Sequence, residues 1–425
     1  KNGCKFLGLA PPNSLDEALN NLLIFYKNVP SVTNYPVYIG NLDTLLEPFV
    51  QDMDYEAAKK AIKLFLMHID RTIPDAFCHA DIGPKATLAG RVILECEREL
   101  ENAVPNMTIL YDKTITDDSF AKEAILTQLK VAKPAFANHK LFEAELGKNY
   151  AVASCYNGLI IKGGAYTLTR LLLSNLAKKA DSIEGFFSGQ LPECVKVMLN
   201  YMDERVNFIV NESGFFETNF LVKEGFVTKG NFTAMFGIVG LAECVNTLLE
   251  KENISERYGH SETADNLGVR IMEEISRLNG LHENKHCLNG KFLLHGQVGI
   301  DTDVGSTPNV RIPIGEEPAE LSDHIMHCAK FQKYFPSGVG EIFLVESTAL
   351  KNPDYILDIY KGAFDMGCRY LSFHDNNSDV IRVTGYLVKR SEMQKLENGE
   401  ASLAGTTTFG LNSAKNIKIL ERMAR

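Results

Sequence analysis

Two spacings of apolar residues alternate along this chain, and they predict an alternating set of helices and strands. Ser14 and Glu17 form a capping box ahead of a helix through about Tyr26. Ala58, Ala61, Ile62, Phe65 and Leu66 fall on one helical face, which predicts a helix from Tyr55 to about His68. Met107–Tyr111 reads as a short strand, and a helix follows over about Ser119–Ala132. Tyr150–Ser154 reads as another strand, ending in the loop Cys155-Tyr156-Asn157-Gly158. Helices are predicted over Ala165–Ala177, Glu193–Val206, Phe232–Glu250 and Ser261–Leu278. Strand-like alternation returns at Lys291–Val298 and Glu341–Val345. A helix over about Tyr355–Asp365, a strand over Arg369–Phe373 and a β-branched run over Asp379–Val388 complete the pattern. Strands that alternate with helices imply an α/β fold rich in parallel sheet. The order alone leaves an open sheet and a barrel equally available.

Composition narrows this only a little. A chain of 425 residues, 45% hydrophobic and 23% charged, suits one large globular domain or two to three ordinary ones. No Pro- or Ser-rich linker, repeat or low-complexity tract divides it, so one domain is expected. The first residue is Lys1, so the native N-terminus is expected to lie upstream. No apolar run approaches the roughly 20 residues that cross a bilayer, so no membrane association is expected. A net charge of −10 without a basic stripe argues against a nucleic-acid partner. The nine cysteines are scattered, odd in number and never in C-x-x-C spacing. Reduced thiols in a cytoplasmic setting fit that pattern better than disulfides.

The most specific chemistry lies near the C-terminus, where Arg382-Val383-Thr384-Gly385-Tyr386 reads R-V-x-G-Y. A glycine inside a strand ordinarily marks a bulge or a close backbone approach. A second reading makes Gly385 a radical store. An α-carbon radical delocalises onto both flanking amides and must flatten, which a residue without Cβ does freely. Such a radical needs a shuttle to reach a substrate, and a thiol exchanges hydrogen atoms reversibly with carbon radicals. Cys155 suits this role among the nine, because it follows an apolar strand and opens a glycine-containing loop. Cys96 and Cys244 sit mid-helix among apolar neighbours and read as core residues.

The loop Ser154–Leu159 with Gly163–Leu168, the stretches Arg311–Pro318 and Tyr334–Phe343, and the Gly385 segment through Ser391 resemble the YjjI-type glycyl radical enzymes. The resemblance runs from about Cys78 to the C-terminus. It implies a ten-stranded β/α barrel with flanking helices, in which a cysteine finger loop and a glycine finger loop meet inside. It also divides the chain into a helical N-terminal part (1–75), a barrel with the cysteine loop (76–370) and a C-terminal glycyl radical segment (371–425). A separate S-adenosylmethionine and iron–sulfur activating enzyme would take a hydrogen from Gly385. A Cys155 thiyl would then act on a small-molecule substrate under anaerobic conditions. No bound metal or organic cofactor is expected, and homodimers are common in the family.

The same resemblance disfavours three subclasses. Pyruvate formate-lyase-like enzymes pair two adjacent cysteines, whereas Ser154 and Tyr156 flank Cys155 here. Diol-dehydratase-like enzymes carry a glutamate two positions after the cysteine, where this chain has Asn157. Anaerobic ribonucleotide reductases place four zinc-binding cysteines near the glycine, and no cysteine follows Cys368. A carboxylate between Cys155 and Gly385 would favour elimination after all, and a second thiol would favour reduction or acyl transfer.

Further polar groups are candidates for a pocket. Cys78, His79 and Asp81 form an acid–base loop or a solvated helix cap. Asp301 and Asp303 belong to a polar, glycine-bearing turn. Ser337 opens a glycine pair that could offer N–H groups to an anion. His374 precedes the glycine segment and could contact the activating enzyme or cap the finger loop. Two other classes stay open. One is a zinc enzyme using His282, His286 and Cys287 or His324, His327 and Cys328. The other is a binding protein that keeps the fold without the chemistry.

Overall fold

The computed structural model describes residues 2–33, 37–72, 78–153, 156–297, 305–383, 387–403 and 406–425, without the side chains of 30–33, 39 and 406–409. Thirteen strands occur among the described residues. They are β1 (Val37–Asn41), β2 (Cys78–Ile82), β3 (Asn106–Tyr111), β4 (Ala135–Asn138), β5 (Tyr150–Ala153), β6 (Asn157–Ile160) and β7 (Gly164–Leu172). The rest are β8 (Phe232–Val239), β9 (Leu293–Gly296), β10 (Glu341–Val345), β11 (Tyr370–Asp375), β12 (Val380–Arg382) and β13 (Leu387–Lys389).

Six strands form one sheet in the order β1-β2-β3-β4-β11-β10. Every described pairing in it is parallel except β11 on β4, which is antiparallel. Strands β7, β8 and β9 form a parallel three-stranded sheet. The two sheets connect through backbone bonds ahead of β10, from Gly296 N–H to the Gly338 carbonyl (2.8 Å) and from Ser337 N–H to the Leu294 carbonyl (3.3 Å). The pairs β5–β6 and β12–β13 stand apart as antiparallel hairpins.

Parallel strands need crossovers, and helices supply them on one face of each sheet. Cys78, Ala80, Ile82, Met107, Ile109, Phe136, Phe343, Leu371 and Phe373 bury that face of the large sheet against helical residues such as Ile62, Phe65, Ile93, Phe120 and Leu357. Phe232, Ala234, Phe236, Ile238 and Leu294 do the same for the small sheet. Among the described helices, none is long and apolar enough to cross a membrane.

The structure meets most of the predicted elements and corrects three. Residues 165–172 are strand, and only Leu173–Lys179 is helical. Residues 232–239 are likewise strand, and the helix is Leu241–Lys251. Every residue of β8 is buried, so its apolar run carries no alternation to tell strand from helix. The break falls at Gly240, whose φ of +78° suits glycine and ends the strand. The third correction concerns the expected loop at Cys78–Ile82, which is the fully buried strand β2.

Candidate active site

Strand periodicity places a polar row on the face turned away from the helices. Cys78, Ala80 and Ile82 point to the helices, so His79 and Asp81 point the other way. The register aligns His79 with Asn106 and Asp81 with Thr108 on β3. By the same alternation β11 contributes Tyr370, Ser372 and His374 to this inner face. Between them β4 contributes only Ala135 and Ala137, whose small side chains leave room.

The hairpin β5–β6, which carries position 155 in its connection, packs on this inner face. Tyr150, Val152 and Tyr156 cluster with Leu110, Ala135, Ala137 and Tyr370. Four hydrogen bonds fix the hairpin. Val152 N–H donates to Asp81 Oδ2 (2.9 Å), and Gly158 N–H donates to the Ser337 carbonyl (2.9 Å). The Tyr156 hydroxyl donates to the Gly296 carbonyl (2.7 Å) and accepts from Asn309 Nδ2 (3.1 Å). Gly338 provides the seat: its φ is +113°, and a Cβ there would lie 1.8 Å from the Tyr156 carbonyl oxygen. The stretch Ser337–Gly340 therefore supports Tyr156, and its Ser337 and Gly338 N–H groups are committed to backbone carbonyls. This corrects the expectation that they serve an anion.

The second hairpin, β12–β13, has Arg382 opposite Leu387. Ile381, Val383 and Val388 pack with Met393, Ala414 and Ile419, and Ile314 joins them from the Arg311–Pro318 stretch. Arg382 is fully buried, and its Nη2 donates to Asn106 Oδ1 (2.9 Å) and to the Ala132 carbonyl (3.0 Å). Asn106 opens β3, and Ala132 precedes β4. The cysteine hairpin meets the later part of the same strands, at Asp81, Leu110 and Ala137. The two hairpins therefore approach one inner face from opposite strand ends.

Positions 154–155 and 384–386 lie outside the described residues, as do 298–304. Cys155, Gly385, Tyr386, Asp301 and Asp303 fall in these stretches. The other cysteines lie within the described residues. Cys4, Cys78, Cys96, Cys328 and Cys368 belong to the helix-side core of the large sheet. Cys244 and Cys287 lie in that of the small sheet, with Cys194 packed against it. Among the described residues, none of these thiols is on the inner face.

Electrostatically the inner face is quiet. Burial, reinforced by Arg382 and Lys133, pushes the His79 imidazole well below its usual range. Burial with Arg382, Arg390 and Arg422 brings His374 down to about 3. Burial raises the Asp81 carboxyl well above the usual carboxylate range, against the Val152 N–H and Tyr38. The imidazoles are held neutral at neutral pH, and burial biases the Asp81 carboxyl toward its protonated form. Several atoms here are buried without a hydrogen-bond partner: both His79 ring nitrogens, Asp81 Oδ1, Thr108 Oγ1, Ser372 Oγ and His374 Nδ1, with Asn157 Oδ1 on the hairpin. Each such group costs roughly 1–3 kcal/mol when left dry. Their concentration on one face marks a place where a polar ligand or water belongs.

The histidine and cysteine clusters read as metal ligands do not assemble as expected. His282 pairs with Asp203 (3.0 Å), and His327 pairs with Asp265 (3.1 Å). Among the described residues, the group of suitable donors is His324, Cys328 and Glu341, all buried and on the helix side of β10. Arg311 (3.3 Å) and Arg422 (3.7 Å) approach Glu341 Oε1, so its charge is already matched by guanidinium groups. Sequence reading missed Thr108, Ser372 and Asn106, although Asn106-x-Thr108, His79-x-Asp81 and Ser372-x-His374 share one polar i, i+2 phase within apolar strands.

A family profile described as "Glycyl radical enzyme YjjI-like" matches residues 1–425. An uncharacterized protein of Haemophilus influenzae is 46% identical over 430 residues, covering 100% of this chain and 83% of that protein. The uncharacterized protein YjjI of Escherichia coli is 39% identical over 425 residues, covering 100% of this chain and 82% of that protein. A glycyl radical enzyme structure from Archaeoglobus fulgidus superposes with TM-score 0.76 at 13% identity, covering 97% of this chain and 68% of its own. A structure described for 1,2-propanediol dehydration in Roseburia inulinivorans gives TM-score 0.76 at 12% identity, covering 98% and 68%. These neighbours share the ten-stranded β/α barrel that the family resemblance implies. Closure of that barrel is not recorded in the hydrogen bonding of the described residues.

Proposed function

The chain belongs to the YjjI-like family of glycyl radical enzymes, and from that premise we propose that Gly385 stores the radical while Cys155 carries it to substrate. The activating partner is a radical S-adenosylmethionine enzyme, and the substrate is a small polar molecule held on the inner face. The protein acts anaerobically in the cytoplasm, as one functional unit over 1–425, without a bound metal or organic cofactor.

The observation that supports this reading best is the approach of two hairpins to one buried face. Val152 and Tyr156, on either side of the cysteine in sequence, pack at one end of β2–β4. Arg382, three residues before the glycine, binds at the other end. Asn106 and Leu110 mark those ends on β3, four residues or roughly 13 Å apart at the usual strand rise. The cysteines on the helix side are screened from this face by the sheet itself, which favours Cys155 as the shuttle.

Electron paramagnetic resonance tests the proposal. Anaerobic incubation of the full chain with its activating enzyme should give a doublet from the single α-hydrogen at Gly385. The variant Gly385→Ala should give neither the doublet nor oxygen-induced chain cleavage. Cys155→Ala should keep the doublet and lose turnover. A doublet that persists in Gly385→Ala would place the radical elsewhere and end this reading.

A further inference from the structure

We propose that Arg382, His79 and His374 form an anion subsite at the glycine end of the inner face, and that its ligand is the carboxylate of a small organic acid. This rests on the inner face being the place of the substrate, as proposed above, and adds the class of that substrate.

Register brings the three residues together. His79 on β2 stands opposite Asn106 on β3, one strand spacing or roughly 5 Å away. Arg382 reaches the same rung, where its Nη2 donates to Asn106 Oδ1 (2.9 Å) and to the Ala132 carbonyl (3.0 Å) ahead of β4. Strand β11 runs antiparallel to β4, with Tyr370 opposite Ala137 and Leu371 opposite Phe136. His374 therefore lies past the start of β4, at the Ala132 end. Electrostatics agrees with this placement: after burial, Arg382 is the strongest influence that lowers each imidazole.

This corner holds more positive charge than its carboxylates match. Lys133 has Glu97 at 2.8 Å, Arg422 has Glu317 at 3.1 Å, and Asp379 acts on Arg390. Arg382 is fully buried, and among the described residues its hydrogen bonds go to two neutral oxygens. Its Nε and Nη1 are buried without a partner, as are both ring nitrogens of His79 and the Nδ1 of His374. A buried cation without an anion is costly, and the cost falls when a counter-charge arrives with hydrogen bonds to it. The open donors are the N–H groups of a guanidinium and one N–H on each neutral imidazole. Such a set suits an anion that accepts several hydrogen bonds.

Charge count selects the class. One unmatched guanidinium neutralises one negative charge, so a carboxylate fits, whereas a phosphate dianion would carry an unmatched charge into the interior. The next rung toward the cysteine hairpin holds Thr108 and Ser372, whose Oγ atoms are also unpartnered. Uncharged polar groups of the same acid would lie there.

The test uses the full chain before activation, so it does not depend on the radical. Imidazole signals are followed by NMR, with His79 and His374 assigned through His79→Gln and His374→Gln. The probes are propanoate, its uncharged isostere propanamide, and chloride. Propanoate should shift the His79 and His374 signals saturably, leave the other imidazoles in place and raise the melting temperature with concentration. Propanamide should do neither, and chloride should bind far more weakly. Arg382→Met should abolish the response. If that variant does not fold, His79→Phe combined with His374→Phe keeps the cation and removes both ring donors. Its affinity for propanoate should fall by about 10- to 100-fold. No saturable shift with propanoate overturns the subsite. An equal response to propanamide overturns the charge argument, and an equal response to chloride replaces the substrate's carboxylate with a free anion. Each of these failures leaves the assignment of Gly385 and Cys155 standing, which the radical doublet tests separately.

Discussion

The Tyr156 carbonyl oxygen occupies the space that a Cβ on Gly338 would need, 1.8 Å from its ideal position. The contact is backbone on backbone, so no side chain can swing aside. Gly338 also has a φ of +113°, a conformation that residues with a Cβ rarely adopt. Gly338→Ala should therefore displace the cysteine hairpin and lower stability by about 2–4 kcal/mol. Denaturant melts would show the stability loss. Hydrogen exchange should show faster exchange at Val152 and Gly158, and unchanged exchange there would refute the seat.

Arg382 ties the glycine hairpin to the sheet. Replacement by Met removes the donor to both Asn106 Oδ1 and the Ala132 carbonyl while filling similar volume. Stranding those acceptors should cost about 1–3 kcal/mol. The variant should also give a reduced yield of the radical doublet, because the strand entering the glycine segment loses its anchor. Equal doublet yield in wild type and variant would separate Arg382 from radical storage.

Glu341 lies between Arg311 and Arg422, and burial is outweighed by these cations and His324, so its carboxyl is held down at about 2. Glu341→Gln leaves the buried Arg311 guanidinium without its anion, while Arg422 keeps Glu317 at 3.1 Å. A loss of about 3–5 kcal/mol follows from breaking such a pair. Wild type should retain the benefit of this carboxylate above pH 4.5 and lose it as pH falls toward 2. Parallel urea titrations of the two proteins at pH 7 and pH 3 check both statements.

His374 behaves in the opposite sense to a paired histidine. Its folded value of about 3 lies below the ordinary 6.5, so the fold favours the neutral ring. Unfolded chain takes up a proton first as the medium is acidified. Stability due to neutral His374 is thus complete above pH 6.5 and is lost as pH falls toward 3, by up to about 1.4 kcal/mol per unit. His374→Gln cannot titrate, so wild type should lose stability relative to the variant across that window. A constant difference between them from pH 7 to pH 4 would contradict the burial argument.

Element type was legible wherever amphipathic periodicity survived, as in Tyr55–Thr72 and Pro353–Asp365. It failed at Phe232–Val239, a parallel strand buried throughout that has no polar phase to read, and at Gly164–Leu172, a mostly half-buried strand whose residues do not alternate cleanly. The polar face was half legible. The chemistry of His79 and Asp81 is legible in the sequence, but a thiol, an imidazole and a carboxylate ahead of a glycine, Gly83, read as a loop rather than a strand. Thr108 and Ser372 were passed over because a single hydroxyl in an apolar run carries no local signal. Only the register between strands far apart in sequence shows that they share a face. The family itself was legible from short motifs, above all the glycine pentapeptide Arg382–Tyr386 and the cysteine loop Ser154–Leu159.

Strand β11 enters the large sheet antiparallel against β4, through Tyr370 opposite Ala137 and Leu371 opposite Phe136. Its partners are separated by more than two hundred intervening residues, so the middle of this sheet cannot be completed during most of synthesis. Until β11 arrives, the polar row of β2 and β3 lacks Tyr370, Ser372 and His374, which extend it. Assembly of this polar face is thereby deferred to the last stage of folding, when the segment bearing position 385 is itself being made.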